Sequence, residues 1–177
     1  MSKTYGLKTE FSPIRKDRSR LIVSYECVPE QDGIHATWYE IYFYKKQHPT
    51  VTFEEIKEAI LSDINTQTDA KILTGFVWND KPVWLSRENQ FNFKAAYDLA
   101  VQTKGKSLPV KFKLGELEDE TPVYHTFEDL SEIADFYTKA MVYINQCLNE
   151  GWNRKDSIDW SQYGEDKKKG DEGGGIE

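Results

Sequence analysis

The run TFEDLSEIADFYTKAMVYINQCLNEG, residues 126–151, carries the longest helical pattern of the chain. Its apolar side chains recur every three or four residues over five turns, which is the spacing of one buried helix face. Thr126 stands where a capping residue is expected, and acidic residues in the first turns interact favourably with the helix dipole. The pattern predicts a long final helix that ends at Gly151. The apolar positions are Leu130, Ile133, Ala134, Tyr137, Ala140, Met141, Ile144, Cys147 and Leu148.

A β-hairpin with a two-residue turn is predicted in residues 72–85 (ILTGFVWNDKPVWL). Two short apolar runs flank Asn79 and Asp80, and both residue types tolerate the positive φ angles of such a turn. This register places Trp78 opposite Lys81. Alternation along the strands then puts four apolar side chains on one side of the hairpin, namely Phe76, Trp78, Val83 and Leu85.

Two further strand pairs are predicted from alternation and turn residues. Residues 108–114 (LPVKFKL) and 122–127 (PVYHTF) form short strands around an acidic loop. Nearer the amino terminus, residues 20–28 (RLIVSYECV) and 36–44 (ATWYEIYFY) are rich in β-branched and aromatic residues. The loop at residues 29–33 contains Pro and Asp-Gly, which favours a hairpin with five connecting residues.

Two more helices are predicted between the hairpins. Thr52 and Glu55 have the spacing of a capping box, and apolar residues follow at helical intervals to about Thr68. Ser86 is placed to cap a second helix at residues 87–103. Apolar residues occur most of the way around this second helix, so we expect it to be central in the fold.

These elements together predict an α+β protein. An N-terminal antiparallel β-hairpin is followed by a helix, a hairpin, a second helix, a third hairpin and the long C-terminal helix. We predict three segments along the chain: a docking hairpin at residues 1–50, an α+β body at 51–163 and a tail at 164–177. The tail, GEDKKKGDEGGGIE, is almost entirely charged residues and Gly, a composition typical of disorder.

Composition excludes several classes of protein. The chain has 177 residues, a mass of 20.6 kDa and a net charge of -7, and 14% of its residues are aromatic, which argues against a disordered protein. No apolar run is long enough for a membrane span, and the first twenty residues lack the apolar core of a secretory signal. The acidic charge disfavours nucleic-acid binding. We therefore expect neither membranes nor nucleic acids as partners.

The residues that usually carry catalysis or bind metals are few and scattered. His35, His48 and His125 lie outside ligand spacing of one another, and for His125 we expect a structural hydrogen bond. Cys27 and Cys147 fall on apolar faces of a strand and a helix, so both are expected to be buried, unreactive thiols. No phosphate-binding, dinucleotide-binding or hydrolase motif occurs. The sequence predicts no catalytic residue, no cofactor and no metal.

Two charged stretches remain. Eight acidic residues and no Lys or Arg lie between Leu114 and Thr138, a density that a divalent cation could use, although the spacing does not match a calcium loop. A solvated acidic face is the simpler interpretation. Residues 15–20 (RKDRSR) are basic, and we interpret them as a solvated lead-in to a strand or as a contact to an acidic partner.

Aromatic residues are the remaining clue to function. They exceed what one small core easily hides, and Trp and Tyr often anchor interfaces. They could equally fill the junctions between hairpins and helices. The predicted interface residues are Trp38, Tyr42, Tyr44, Trp78, Trp84, Trp152 and Trp160.

Residues 71–159 resemble a family of domains of unknown function, numbered 4376, that tailed bacteriophages and prophage regions of gut bacteria carry. In that family a helix leads into a Trp-containing hairpin, an Asn-Gln segment starts a second helix, and a final long helix ends near a Trp. The preceding residues also resemble the amino-terminal half of small proteins from such phages. The matching positions here are Phe76, Trp78, Val83, Trp84, Leu85, Gln90, Ala95, Phe112, Thr126, Phe127 and Ile144.

The resemblance implies a virion-associated or fibre-associated role without a known activity. Our first hypothesis is a non-enzymatic structural or adaptor protein attached at the tail, baseplate or head fibre, which would be made in the host bacterial cytoplasm and located in the virion. Its expected partners are other virion proteins and further copies of itself. The alternative is a fibre-assembly chaperone that binds an unassembled phage fibre. A third hypothesis is an enzyme that uses the acidic stretch as a pair of carboxylates.

Overall fold

A computed structural model describes residues 2–164, and the predicted tail lies outside the described residues except for Gly164. The α+β class predicted from the sequence is confirmed. The elements, in chain order, are β1 Ser2–Leu7, a 3₁₀ turn Lys8–Glu10, β2 Ile14–Lys16, β3 Arg20–Pro29, β4 His35–Tyr44, α1 Phe53–Thr74, β5 Phe76–Trp78, β6 Lys81–Val83, α2 Arg87–Gln102, β7 Val110–Glu116, β8 Pro122–Phe127, α3 Leu130–Asp156 and a 3₁₀ turn Trp160–Tyr163.

The described chain divides into two compact units. One consists of residues 2–63 and 155–164, and the other of residues 64–154. Helices α1 and α3 contribute residues to each unit. The predicted docking segment at 1–50 and body at 51–163 stay a prediction.

The first unit contains a four-stranded antiparallel sheet in the order β1-β4-β3-β2. Strands β3 and β4 form the predicted hairpin, with connecting residues 30–34. The alternation predicted along β3 is broken by a bulge, because Glu26 has a φ of 54° and the register shifts between Tyr25 and Val28. Strands β1 and β2 were not predicted individually. Both are too short and too polar to give a clear period-two pattern.

The first turns of α1 form as the sequence predicts. The amide of Thr52 donates to Glu55 Oε2 at 2.8 Å, and the amide of Glu55 donates to Thr52 Oγ1 at 3.3 Å, which completes the capping box. Ile56 and Ile60 are buried. The 3₁₀ turn near the end of the unit is tied to the sheet, since Tyr163 donates its hydroxyl to the carbonyl oxygen of Ser24 at 2.8 Å. Burial raises the pKa of Tyr163 to about 12.

The second unit contains two β-hairpins, and the predicted register of the first is confirmed. Trp78 pairs with Lys81, and Asn79 and Asp80 have φ angles of 48° and 60°, as a two-residue turn of the type I′ family requires. Strands β7 and β8 form the second hairpin. The two hairpins meet where the amide of Trp84 donates to the carbonyl oxygen of Leu114 at 2.7 Å.

An aromatic cluster forms the centre of the core in the second unit. Phe136 on α3 is fully buried, and its ring lies 4.9 Å from Phe93 on α2 and 5.0 Å from Phe127 on β8, measured between centroids. The ring of Trp78 is 5.2 Å away, edge on. Such edge-to-face pairs stabilise a core by about 0.5–1.5 kcal/mol beyond burial of area. Four positions of the predicted α3 stripe are also buried, namely Ile133, Ala140, Ile144 and Cys147.

The boundaries of α1 and α3 differ from those predicted. Helix α1 continues to Thr74, because Ile72 extends the apolar stripe by two more turns instead of opening a strand. Helix α3 begins at Leu130, and its first turn is capped by Asp129, whose Oδ1 accepts from the amide of Glu132 at 3.0 Å, not by Thr126.

Gly151 does not end α3, which continues to Asp156. The glycine is buried against α1, where an added Cβ would lie 2.6 Å from Thr68 Oγ1. Its place in the sequence therefore reflects close approach of two helices and not helix termination.

The prediction that α2 is central is wrong. Phe93 and Ala100 are buried, but Phe91 is 73% exposed and Leu99 is also exposed. Apolar residues lie on both faces of the helix, and only one of those faces contacts the core. Composition around a helix does not by itself report which face is covered.

Candidate functional site

Two of the seven predicted interface residues are core residues. Trp38 and Trp78 are each 2% exposed, so neither ring is available to a partner. Trp38 lies beneath Phe11, with their rings 6.0 Å apart, and Trp78 donates its indole N–H to Asp135 Oδ2 at 3.0 Å. Strand alternation correctly predicted the side on which each lies, but not that neighbouring segments cover it.

Glu40 is the centre of a hydrogen-bond network on the sheet of the first unit. Its buried carboxylate accepts from Trp38 Nε1 at 3.0 Å, from the Tyr42 hydroxyl at 2.7 Å and from Arg15 at 2.7 Å. Burial alone raises the pKa of Glu40, but the hydrogen bonds and the charge of Arg15 outweigh it, so the pKa lies below its ordinary value. The network links β2 to β4 across the intervening β3, and Tyr42 belongs to it as a structural residue.

The remaining predicted aromatics have different surroundings. Tyr44 and Trp152 are exposed. Trp160 is half-buried, with its ring edge-on to Phe53 at 6.3 Å and Lys57 Nζ 5.7 Å from its centroid. We assign these three residues no common site.

Trp84 belongs to a surface that the sequence did not predict as a unit. Along β5 and β6 the core side chains alternate with Val77, Pro82 and Trp84, which point to the opposite side. Lys113 Nζ lies 5.6 Å from the centroid of the Trp84 ring, so the second hairpin contributes to the same side. We call this surface the outer β face, and it consists of Val77, Pro82, Trp84, Lys111, Lys113 and Tyr124.

The two hairpins can share one face because of Gly115. A Cβ at this position would lie 2.8 Å from the carbonyl oxygen of Pro82 and 3.4 Å from Trp84 Cδ1. Any side chain would separate β6 from β7. The glycine therefore allows the close strand approach that makes the outer β face continuous.

Lysines orient the two aromatic rings of the outer β face. Lys111 Nζ lies 4.8 Å from the centroid of the Tyr124 ring, and Lys113 Nζ also bonds Glu116 Oε1 at 2.5 Å while it lies over Trp84. Exposed contacts of this kind are worth about 0.5–1 kcal/mol. The result is a surface on which each of two rings lies beside a lysine, and which can accept apolar and acidic side chains of a partner.

Of this surface, only Trp84 was predicted as an interface residue. The alternation of Lys with Phe and Leu in LPVKFKL is the signal for an outward-facing lysine pair. The adjacency of the two hairpins has no comparable signal, because it depends on tertiary packing through Leu114 and Gly115.

His125 lies between Lys81 and Glu132. The Lys81 ammonium donates to His125 Nδ1 at 2.8 Å, which leaves Nε2 as the donor to Glu132 Oε1 at 2.8 Å. These contacts connect β6, β8 and α3. The arrangement agrees with the structural role expected for His125, and it places no Ser, Thr or Cys nucleophile beside the ring in the described contacts.

The acidic stretch is engaged in local structure. Asp129 caps α3, Glu132 binds His125, and Asp135 accepts from Trp78 and from Lys139 Nζ at 2.8 Å. Within residues 2–164 no three His, Cys, Asp or Glu side chains come together as metal ligands would.

The two thiols and a surface depression on α1 have different surroundings in the described part of the chain. Cys147 is buried as expected, whereas Cys27 is only half-buried because the bulge in β3 displaces it. A depression of about 340 Å³ on α1 is lined by Glu54, Lys57, Glu58 and Leu61. None of the described helices is both long and apolar enough to cross a bilayer.

The chain is similar to a known family of domains. Residues 55–169 match the family described as Domain of unknown function (DUF4376). No curated protein and no solved structure matches the chain. The matched residues include the whole of the outer β face.

Proposed function

The chain belongs to the DUF4376 family, a domain of unknown function, and from that starting point we propose that it is a non-enzymatic structural or adaptor protein of a tailed bacteriophage virion. The phage setting is supported by the resemblance of residues 71–159 to proteins carried by tailed phages and prophages. The adaptor role is supported by the outer β face, which is the single observation on which it depends.

The outer β face has the composition of a protein interface. Val77 is 60% exposed and Tyr124 is 53% exposed, and Trp84 on the same face is half-buried. Aromatic residues are enriched where binding energy concentrates in interfaces, while exposed apolar patches on a protein surface mark interaction sites. Burial of this face by a partner would remove apolar area from water without any change in the fold.

The rings of the outer β face are held in place before binding. Side-chain ordering on association costs about 0.5–1.5 kcal/mol for each flexible side chain. Because Lys111 and Lys113 already lie over Tyr124 and Trp84, part of that cost is met during folding. In the proposed role the face contacts another virion protein or a further copy of the chain, at the tail, the baseplate or a head fibre.

Quantitative mass spectrometry of gradient-purified particles of the encoding phage tests the proposal. We expect the chain at a fixed copy number relative to the major structural proteins, in the same fractions as intact particles. A chain found only with unassembled fibres would support the alternative, a fibre-assembly chaperone. Absence from both particles and assembly intermediates would contradict the proposal.

A pair of variants tests the outer β face itself. Trp84→Ala with Tyr124→Ala removes both rings, and we expect incorporation into particles to fall at least tenfold because the aromatic contacts to the partner are lost. Phe91→Ala is the matched control, since it removes an exposed aromatic ring on α2. Equal incorporation of the double variant and the control would show that the face is not the docking surface.

A further inference from the structure

Basic residues concentrate at one end of the sheet in the first unit. The turn between β2 and β3 and the residues that follow β4 lie side by side, since the amide of Lys45 donates to the carbonyl oxygen of Ser19 at 2.9 Å and Arg20 pairs with Tyr44. We call this end the basic tip. Its residues are Arg15, Lys16, Asp17, Arg18, Arg20, Lys45 and Lys46.

The single acidic residue of the tip, Asp17, is hydrogen-bonded within the tip. Asp17 Oδ1 accepts from the amides of Ser19 and Arg20, each at 2.8 Å, and Oδ2 accepts from Arg20 Nε at 2.7 Å. The hydrogen bonds from Arg20 and Ser19 hold the pKa of Asp17 well below its usual range. Asp17 therefore stays ionised and shapes the turn, and it is directed inward at the backbone of the tip.

The tip is also rigid. Lys45 Nζ donates to the carbonyl oxygens of Asp17 at 2.8 Å and of Arg18 at 3.1 Å, so this lysine fastens the turn to β4. Arg15 is fixed by its ion pair with Glu40 at 2.7 Å and keeps a side chain that is 43% exposed. Because the turn is already ordered, little backbone freedom is lost when an anion binds.

The charge of the tip is opposite to that of the rest of the chain. The seven residues of the tip carry a net charge of +5, or +4 when the Glu40 carboxylate that pairs with Arg15 is counted. Because the chain has a net charge of -7, the residues outside these seven carry -12. The side chains of Lys16, Arg18 and Lys46 are exposed. Three adjacent strands span only about 10 Å, which is close to the Debye length at physiological ionic strength, so these cations act as one site.

We propose that the basic tip binds an acidic polypeptide segment of a partner protein. A short carboxylate-rich segment matches the width of the tip, and the exposed guanidinium group of Arg18 suits a carboxylate. The ring of Tyr42, with the Arg20 guanidinium 4.6 Å from its centroid, adds an apolar contact beside the charges. The proposal does not depend on the virion role, because it concerns a different surface.

Nucleic acids and anionic membranes fit the tip less well. Both present negative charge over a length much greater than the tip, with one phosphate for about every 3.4 Å of a nucleic-acid strand. Contact beyond the tip would bring that charge against the remaining acidic chain. A segment of polypeptide can confine its carboxylates to the tip and continue with neutral residues.

Fluorescence anisotropy with the full chain and a labelled peptide rich in Glu and Asp tests the proposal. We expect binding that weakens steadily as salt is added. Arg18→Gln with Lys46→Gln should weaken it about fivefold to tenfold, because two cations of the site are lost. The control is Lys104→Gln with Lys106→Gln, which changes the net charge equally at exposed positions of the other unit and should change affinity less than twofold.

Three outcomes would overturn the proposal. One is no binding of the acidic peptide at low salt, and another is equal loss of affinity in the two double variants. The third is a higher affinity per binding site for labelled oligothymidylate or for phosphatidylserine vesicles than for the peptide. That result would identify a different class of partner. Urea unfolding of both double variants, with the same midpoint as the parent chain, confirms that the fold is intact.

Discussion

Glu40 is a buried charged residue, so the fold must compensate the cost of removing its carboxylate from water. Its carboxylate is buried and receives three donors, one of them from a guanidinium. A buried charge without partners costs several kcal/mol, whereas removal of one partner from such a network costs more than the pair contributes. Glu40 and Arg15 therefore have to be considered together.

Replacement of the carboxylate should destabilise the chain in a pH-dependent way. For Glu40→Gln we expect the free energy of unfolding at neutral pH to fall by about 1–3 kcal/mol, since hydrogen bonds to a charged group are lost. The pKa of Glu40 is lowered from 4.5 by folding, so its contribution is present above that pH and is lost as the pH falls below it. Urea titrations at pH values above and below 4.5 measure the difference in unfolding free energy between Glu40→Gln and the parent.

The control for this prediction is Glu30→Gln, at an exposed loop position. We expect its unfolding free energy to stay within about 0.5 kcal/mol of the parent value. The difference in unfolding free energy between Glu40→Gln and the parent should narrow as the pH falls. If it did not, the lowered pKa of Glu40 would be excluded as the cause of that difference.

At the residue scale the sequence predicts side-chain direction better than exposure. Strand alternation places Trp38 and Tyr42 on one side of β4, which the structure bears out. The burial of Trp38 comes from residues 8–13, which run from β1 to β2 and bring Phe11 over the indole. That coverage depends on two strands that have no clear sequence pattern, so it could not be predicted.

The turn between β5 and β6 shows how closely a short element can be predicted. Asn79 and Asp80 were expected in a two-residue turn, and their positive φ angles and the pairing of Trp78 with Lys81 agree. The positive φ of Asp80 costs energy that glycine does not incur. The hairpin therefore forms with a residue that is tolerated at this position and is not the most favourable one.

Substitutions at Asp80 should reveal that cost. We expect Asp80→Gly to raise the free energy of unfolding by about 0.5 kcal/mol and Asp80→Ala to lower it by about 1 kcal/mol, because only glycine adopts this φ without strain. Thermal unfolding of the two variants measures the difference. A stabilising Asp80→Ala would show that the turn is not strained at this residue.

The packing of α1 against α3 in the second unit depends on Gly151. An added Cβ would meet Thr68 Oγ1 at 2.6 Å and Thr68 Cγ2 at 3.3 Å. The hydroxyl of Thr68 is itself held by Ile64, to whose carbonyl oxygen it donates at 2.8 Å. The threonine therefore cannot give way without loss of a hydrogen bond.

A double-mutant cycle measures this contact. Gly151→Ala should lower the free energy of unfolding by about 1–3 kcal/mol through overpacking, although alanine has the better helix propensity by about 1 kcal/mol. Thr68→Ala creates room, so the double variant should recover at least about 1 kcal/mol relative to additivity. Additive effects would mean that the two residues do not contact each other.

Helix α3 illustrates what sequence patterns cannot report at the scale of an element. The apolar stripe predicted its buried face, but Gly151 was interpreted as its end because glycine commonly terminates helices. In the structure the same residue type serves close packing against Thr68. Only the position of a neighbouring helix separates these two roles, and a single sequence does not contain it.

The whole molecule combines two surfaces of different chemistry. The outer β face is apolar and aromatic between lysines, and the basic tip is a compact positive site on an otherwise acidic chain. The composition shows an acidic chain that is rich in aromatic residues. It does not predict that basic and aromatic side chains form two separate surfaces. That separation follows from strand pairing at the tip and from contact between two hairpins at the outer β face.

Photo-crosslinking in intact particles is the most direct test of the adaptor role. A photoreactive phenylalanine analogue replaces Tyr124 in one variant and Phe91 in the other, and purified particles are irradiated and analysed by mass spectrometry. We expect crosslinks from position 124 to one virion protein or to a second copy of the chain, and none from position 91. Particles that contain the chain but give crosslinks only from position 91 would contradict it.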